Sequence, residues 1–222
     1  MIGLMLGNNM LYYRITGYDN LKFFCKIYKV NNYKEKIQQI TKEFGIQNWL
    51  GEYVGKYSSG MKMKLALCKT LLLDRKILLL DEPTLGLDVT SVDFVVNKLK
   101  NLNKTILICS HAMNVVEKLC DRVAFINDGK ILKIGNQEQL KILYNNEIHI
   151  NIHVPNNISK IKSDLSKQDY IINLENNQSY LKVVLNKRKN FSKLINLLAN
   201  YNIISLSEKK LTLEELFIKL ID

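Results

Sequence analysis

The sequence predicts an α/β fold, a parallel sheet with helices, followed by a small α+β domain. Three observations predict it. From Met1 to about Leu143, short runs of strand formers alternate with amphipathic helical periods. One run, Ile77-Leu78-Leu79-Leu80, is apolar throughout and ends in Asp81-Glu82. From Glu147 the pattern changes, and Ile148, Ile150, Ile152 and Val154 share one face of a strand.

Taken in order, Ile2–Leu6 reads as a short buried strand. Residues 19–30 and 33–44 read as amphipathic helices, the second stopped by Gly45. Helix 60–73, strand 76–81, helix 89–100, strand 104–109 and helix 112–119 continue the alternation. Asp128-Gly129 joins strands 122–127 and 130–134 as a two-residue hairpin, because both turn positions need positive φ. Helix 137–144 closes a first domain, 1–145, with Asn145-Asn146 as the linker. The second domain, 146–222, reads as a βαββαβ unit. Its strands are 147–154, two more joined at Asn176-Asn177, and 203–207; its helices are 158–165, 191–200 and a final 213–221.

Composition narrows the class. Apolar residues are 47% of 222, a globular proportion. No apolar run approaches the roughly 20 residues of a membrane span. Cys25, Cys68, Cys109 and Cys120 form no CxxC and lie in apolar segments, so buried free thiols are expected. The net charge of +11 comes from evenly spread lysine with little arginine. That points to compositional bias and to no nucleic-acid partner, since arginine is favoured for specific phosphate contacts. His149 and His153 share a strand face but have no third ligand nearby, so no metal is expected there.

Four short motifs carry chemistry. Tyr57-Ser58-Ser59-Gly60-Met61 opens a helix, where backbone N–H groups, the helix dipole and Ser58 can face an anion. Ser58 can equally be an N-cap alone. Asp81 and Glu82 end a strand, the place where parallel sheets bind ligands. Asp81 suits Mg²⁺, which takes few carboxylates and keeps its waters, and Glu82 can orient or deprotonate a water. Leu85-Gly86-Leu87-Asp88 follows, with Asp88 opening another helix. Ser110-His111 follows strand 104–109, where an imidazole can hydrogen-bond a phosphate.

In order and spacing these four resemble the signature motif, Walker B, D-loop and H-loop of ABC-type ATPases. The resemblance implies a P-loop NTPase-like fold and the ATP-binding subunit of a drug or polysaccharide exporter. Residues 2–21 look like the family's Q-loop region, and Leu211 to Phe217 like the C-terminal accessory domain of exporter ATPases. Carried over, Ser58, Ser59, Gly60 and Met61 would face the γ-phosphate of ATP held by the second subunit of a dimer. Asp81 would serve the Mg²⁺ shell and Glu82 would be the catalytic base. Asp88 would couple the two sites, and His111 would be the γ-phosphate switch. Transmembrane permease subunits and a cytoplasmic position against the inner face of the cell membrane are implied with them.

The match departs from the family at three places. Ser59 and Met61 replace the usual Gly and Gln. The Q-loop Gln position falls on Gly7, beside Asn8. No GxxxxGK[ST] occurs in the sequence; the segment Gly51 to Lys56 has one residue too few between its glycines and Tyr57 where Ser or Thr is needed. The family's phosphate loop would lie before Met1, its strand between strands 104–109 and 122–127. Without that strand a gap in the sheet, low stability and weak ATP binding by the chain alone are expected. A degenerate, non-hydrolysing ABC-like regulatory module is the alternative.

Overall fold

The computed structural model describes residues 2–144, 147–155, 158–177, 179–209 and 212–221. It divides into two compact units, Met1–Cys120 and Asp121–Asp222.

In the first unit, β1 (Ile2–Leu6), β2 (Ile77–Asp81) and β3 (Thr105–Cys109) pair in parallel in the order β1-β2-β3. The helices are α1 (Gly17–Ile27), α2 (Tyr33–Glu43), α3 (Ser59–Leu72), α4 (Val89–Lys100) and α5 (Met113–Leu119). Their starts are chemical. The Thr16 hydroxyl accepts the Asp19 N–H at 3.0 Å and donates to the Asp19 carboxylate at 2.7 Å, so α1 begins two residues before the expected Asp19. After α2, Gly45 at φ +67 lets its N–H reach the Lys42 carbonyl and the Ile46 N–H reach that of Thr41.

One face of the sheet is covered. Met5, Leu78 and Leu80 join Ile106 and Ile108 in a core with Leu21 and Cys25 of α1, Ile37 of α2, Leu65 and Leu67 of α3, and Leu99 of α4. Fully burying one such side chain contributes about 1.5–3 kcal/mol. The other face differs from the covered sheet expected from the sequence. Ile2 (54%), Leu4 (41%), Leu6 (46%), Ile77 (41%) and Leu107 (62%) are exposed, a row of apolar side chains in place of polar ones. Among the described residues β3 has no partner on its far edge, and it does not pair with the next strand of the chain. The strands expected to flank a phosphate-loop strand therefore lie in separate sheets.

In the second unit, β4 (Arg122–Asn127) and β5 (Lys130–Asn136) form a hairpin through Asp128-Gly129, at φ +48 and +73 as that turn requires. Helix α6 (Gln137–Tyr144) follows. The expected linker, 145–146, lies outside the described residues. Compactness places the hairpin and α6 with the C-terminal elements rather than with the first domain. Within that unit Phe125 of the hairpin stacks on Phe217 at 5.7 Å.

The remaining elements are β6 (Ile148–His153), α7 (Ile158–Ser166), β7 (Ile171–Asn177), β8 (Tyr180–Leu185), α8 (Phe191–Leu198), β9 (Ser205–Lys209) and α9 (Leu213–Ile221). The sheet is antiparallel throughout, in the order β7-β8-β6-β9. Ile148, Ile150, Ile152 and Val154 pack on Ile161, Leu165, Leu194 and Leu198. The turn between β7 and β8 comes later than expected: Asn177 still pairs with Tyr180, so Asn176-Asn177 belong to the strand.

Two smaller expectations change. Cys25 and Cys68 are buried free thiols, the first pushed up to about 11 by burial, but Cys109 is exposed and Cys120 half-buried. The reason for Cys109 is its place on the uncovered face, opposite Asp81. No helix of the described residues is long and apolar enough to cross a membrane.

Candidate active site

The site is built at the carboxyl ends of β2 and β3. Their register sets Asp81 opposite Cys109, so the residues that follow leave the sheet side by side. Glu82 has φ +46, an uncommon conformation for a residue with a Cβ and a form of strain found at functional sites. Its N–H donates to the Cys109 carbonyl at 2.9 Å, which holds the backbone turn.

That turn places the Glu82 carboxylate under the start of the next loop. One oxygen accepts the His111 backbone N–H at 2.9 Å and lies 2.8 Å from His111 Nδ1. The other accepts the Ser110 hydroxyl at 3.3 Å. Ser110 Oγ in turn accepts the Ala112 N–H at 3.1 Å. Ser110 is a residue that sequence reasoning did not assign a role; its place beside His111 was the available signal. The carboxylate is half-buried while His111 remains largely exposed, so the imidazole faces outward from an anchored acid.

Asp81 is exposed at the rim beside Glu82. Among the described residues no three His, Cys, Asp or Glu side chains gather as a metal cage. A lone carboxylate at a strand end fits Mg²⁺ nonetheless, since that ion binds through one or two carboxylates plus phosphate oxygens and water.

The second group of residues forms around the start of α3. Ser58 is its N-cap, the hydroxyl accepting the Met61 N–H at 3.2 Å. The N–H groups of Ser59 and Gly60 occupy the first helical positions, where no intrahelical acceptor exists. The turn packs against the loop after β2. Gly86, at φ +75, lies so close to Ser59 that a Cβ there would stand 2.5 Å from the Ser59 hydroxyl; one on Gly60 would stand 3.2 Å from the Gly86 carbonyl. From below, the Tyr57 hydroxyl donates to the Trp49 carbonyl at 2.6 Å, and burial pushes it up to about 12. Gly17 is required there, because a Cβ would meet that hydroxyl at 2.2 Å.

Asp88 caps α4. Its carboxylate accepts the Thr90 hydroxyl at 2.6 Å, the Ser91 N–H at 2.9 Å and the Ser91 hydroxyl at 2.9 Å. These hydrogen bonds, that of Thr90 foremost, hold it well below the usual carboxylate range. The structure thus brings Glu82 and His111 into contact, and joins Ser58–Met61 to Asp88 through the Gly86 loop. The segment at Gly51 to Lys56 is an ordinary turn, with Lys56 paired to Glu52 at 2.9 Å and no strand leading into it.

The ABC transporter family model matches residues 2–85. The chain is 39% identical over 145 residues to the ABC transporter ATP-binding protein NatA of Bacillus subtilis, covering 63% of this chain and 59% of NatA. It is 38% identical over 135 residues to a fluoroquinolones export ATP-binding protein of Mycobacterium tuberculosis, covering 59% of this chain and 44% of that protein. The chain therefore spans about half the length of these relatives. The fold resembles the ATP-binding subunit of an ABC transporter, at a TM-score of 0.58 and 21% identity over 64% of this chain and 62% of that one. It also resembles an ATP-binding cassette solved as a dimer with ADP and phosphate, at a TM-score of 0.56 and 21% identity over 61% of this chain and 62% of that one. Residues 2–85 thus match the ABC transporter family, and the chain is similar to part of that family's ATP-binding proteins.

Proposed function

We propose that the chain acts in an ABC-type export system, coupling ATP hydrolysis in a dimer to transport by separate membrane permease subunits. The observation that carries this reading is the Glu82–His111 contact at the strand ends. An anchored carboxylate beside an outward imidazole is what in-line attack of water on a phosphate needs: a group to orient the water and a donor for the γ-phosphate. Asp81 would hold Mg²⁺, which when bound supplies charge neutralisation on the phosphates.

Ser58, Ser59 and Gly60 offer a hydroxyl and helix-terminal N–H groups, chemistry suited to the γ-phosphate of a nucleotide held by the second ATP-binding subunit. Asp88, tied to that turn through Gly86, would report nucleotide engagement to the neighbouring site. The 222 residues contain no GxxxxGK[ST], so the loop that cradles the β- and γ-phosphates would come from outside them, and the chain alone should bind ATP weakly. Export as the direction of transport rests on relatives named for export, and a position against the inner face of the cell membrane follows from the permease partners.

A second reading is a non-hydrolysing partner that completes another subunit's site, a role the Ser58 hydroxyl and the helix-terminal N–H groups of Ser59 and Gly60 would suit. One experiment separates them: ATP binding and turnover by the chain alone and by the chain assembled with its second ATP-binding subunit. Weak binding alone with turnover in the assembly, lost in Glu82→Gln, supports the hydrolytic role. Turnover lost only in Ser58→Ala and Gly60→Asp supports the non-hydrolysing one. Tight binding by the chain alone sinks the claim that the loop comes from elsewhere.

A further inference from the structure

Lys69 is a buried cation that the proposed chemistry does not use. It sits on α3, in the third turn after the signature residues, and is only 3% exposed. Its Nζ donates to the Met10 carbonyl at 3.1 Å and lies 4.5 Å from the centre of the Phe24 ring. Burying an ammonium is expensive unless something specific holds it. Here the holder is the backbone of the turn that leaves β1, not a carboxylate.

The same stretch of backbone is clamped a second time. Asn20, fully buried on α1, accepts the Tyr12 N–H at 2.8 Å and donates to the Tyr12 carbonyl at 2.9 Å and the Thr16 carbonyl at 3.0 Å. Phe24 connects the two clamps. It carries Lys69 on its face and meets Tyr12 at 6.0 Å and Phe23 at 5.3 Å. Two buried polar side chains therefore hold Met10, at the end of the 3-10 turn Gly7–Met10, and Tyr12, just beyond it, where the chain leaves that turn. Loops left to themselves open easily, and this one is fixed from two helices at once.

We infer that Lys69 is a positioning residue that couples the signature turn to the segment between β1 and α1, so that α3 and residues 7–12 move as one piece. The tether itself is independent of the proposed ATP chemistry; only its consequence for turnover rests on that reading. It gives the phosphate-facing turn at Ser58 a direct mechanical link to a segment far from it in sequence.

The test is hydrogen exchange on the nucleotide-free chain. Lys69→Met, which keeps the length and removes the donor that holds the Met10 carbonyl, should let the segment open more often and so speed exchange of the Tyr12 amide, itself held by Asn20, by about tenfold or more, the scale of the bond the segment loses. Amides of Leu65, Leu67 and Leu78 should not change, and Lys69→Arg should restore protection. Should Lys69→Met fail to fold, Phe24→Leu removes the ring under the ammonium and should raise Tyr12 exchange alone. Uniform acceleration across the unit, or an unchanged Tyr12 amide, would overturn the inference. In the assembled complex Lys69→Met should lower kcat with KM for ATP unchanged; loss of that effect with exchange still altered would count against the ATP-site reading, not the tether.

Discussion

Ser59 and Gly86 occupy one volume: a Cβ on Gly86 would stand 2.5 Å from the Ser59 hydroxyl, and Gly86 has φ +75. The signature turn and the loop leading to Asp88 are thus in contact within a single chain. Gly86→Ala should destabilise the first unit by the left-handed penalty of about 1–2 kcal/mol plus the clash. Gly45→Ala is the control, since Gly45 has φ +67 but nothing within 4 Å of its added Cβ. Denaturant unfolding of the two variants should differ, with Gly86→Ala the weaker.

Asp88 links pH to stability. Its folded value is depressed, so its contribution is fully present above the unfolded carboxylate range, near 4, and is lost as pH falls below it. The stability difference between the wild type and Asp88→Asn should be constant from pH 6 to 8 and shrink as pH is lowered through about 4. A difference that grows on acidification would contradict the capping geometry.

Lys69 works in the opposite sense from a paired lysine. Burial lowers it from 10.5 to about 8. Between those values the unfolded chain holds a proton that the folded chain has released, so stability rises with pH across that window. Thermal melts should show the wild type gaining on Lys69→Met between pH 8 and 10, and no relative change between pH 6 and 7.

The uncovered sheet face makes a prediction about solubility rather than stability. Leu107 is 62% exposed on β3, whose far edge has no partner among the described residues. Leu107→Lys should leave the unfolding midpoint nearly unchanged, within about 0.5 kcal/mol, while reducing light scattering in concentrated solution. A large destabilisation would show that the face is covered in solution.

Much of this was legible in the sequence, and the reasons are local. The helices starting at Ser59 and Val89 are announced by side chains at Ser58 and Asp88 that can close on their own backbones. The β4–β5 turn is dictated by Asp128-Gly129. Glu82 and His111 were legible as candidates because both follow apolar strand runs. What was hidden depends on distant partners. Nothing in the sequence around Glu82 announces φ +46, which is set by its bond to Cys109 on another strand. Ser110 and Lys69 matter through contacts 28 and 59 residues away along the chain. The exposure of Cys109 followed from a sheet face that its apolar strand gave every reason to expect covered.

The most direct test of the central claim is ATP turnover by the assembled complex containing this chain, with Glu82→Gln as the variant. Gln keeps the shape and the hydrogen bond from the His111 N–H but cannot take a proton. The account predicts that turnover falls about 100-fold or more while ATP-dependent assembly persists. Turnover equal to the wild type would contradict it.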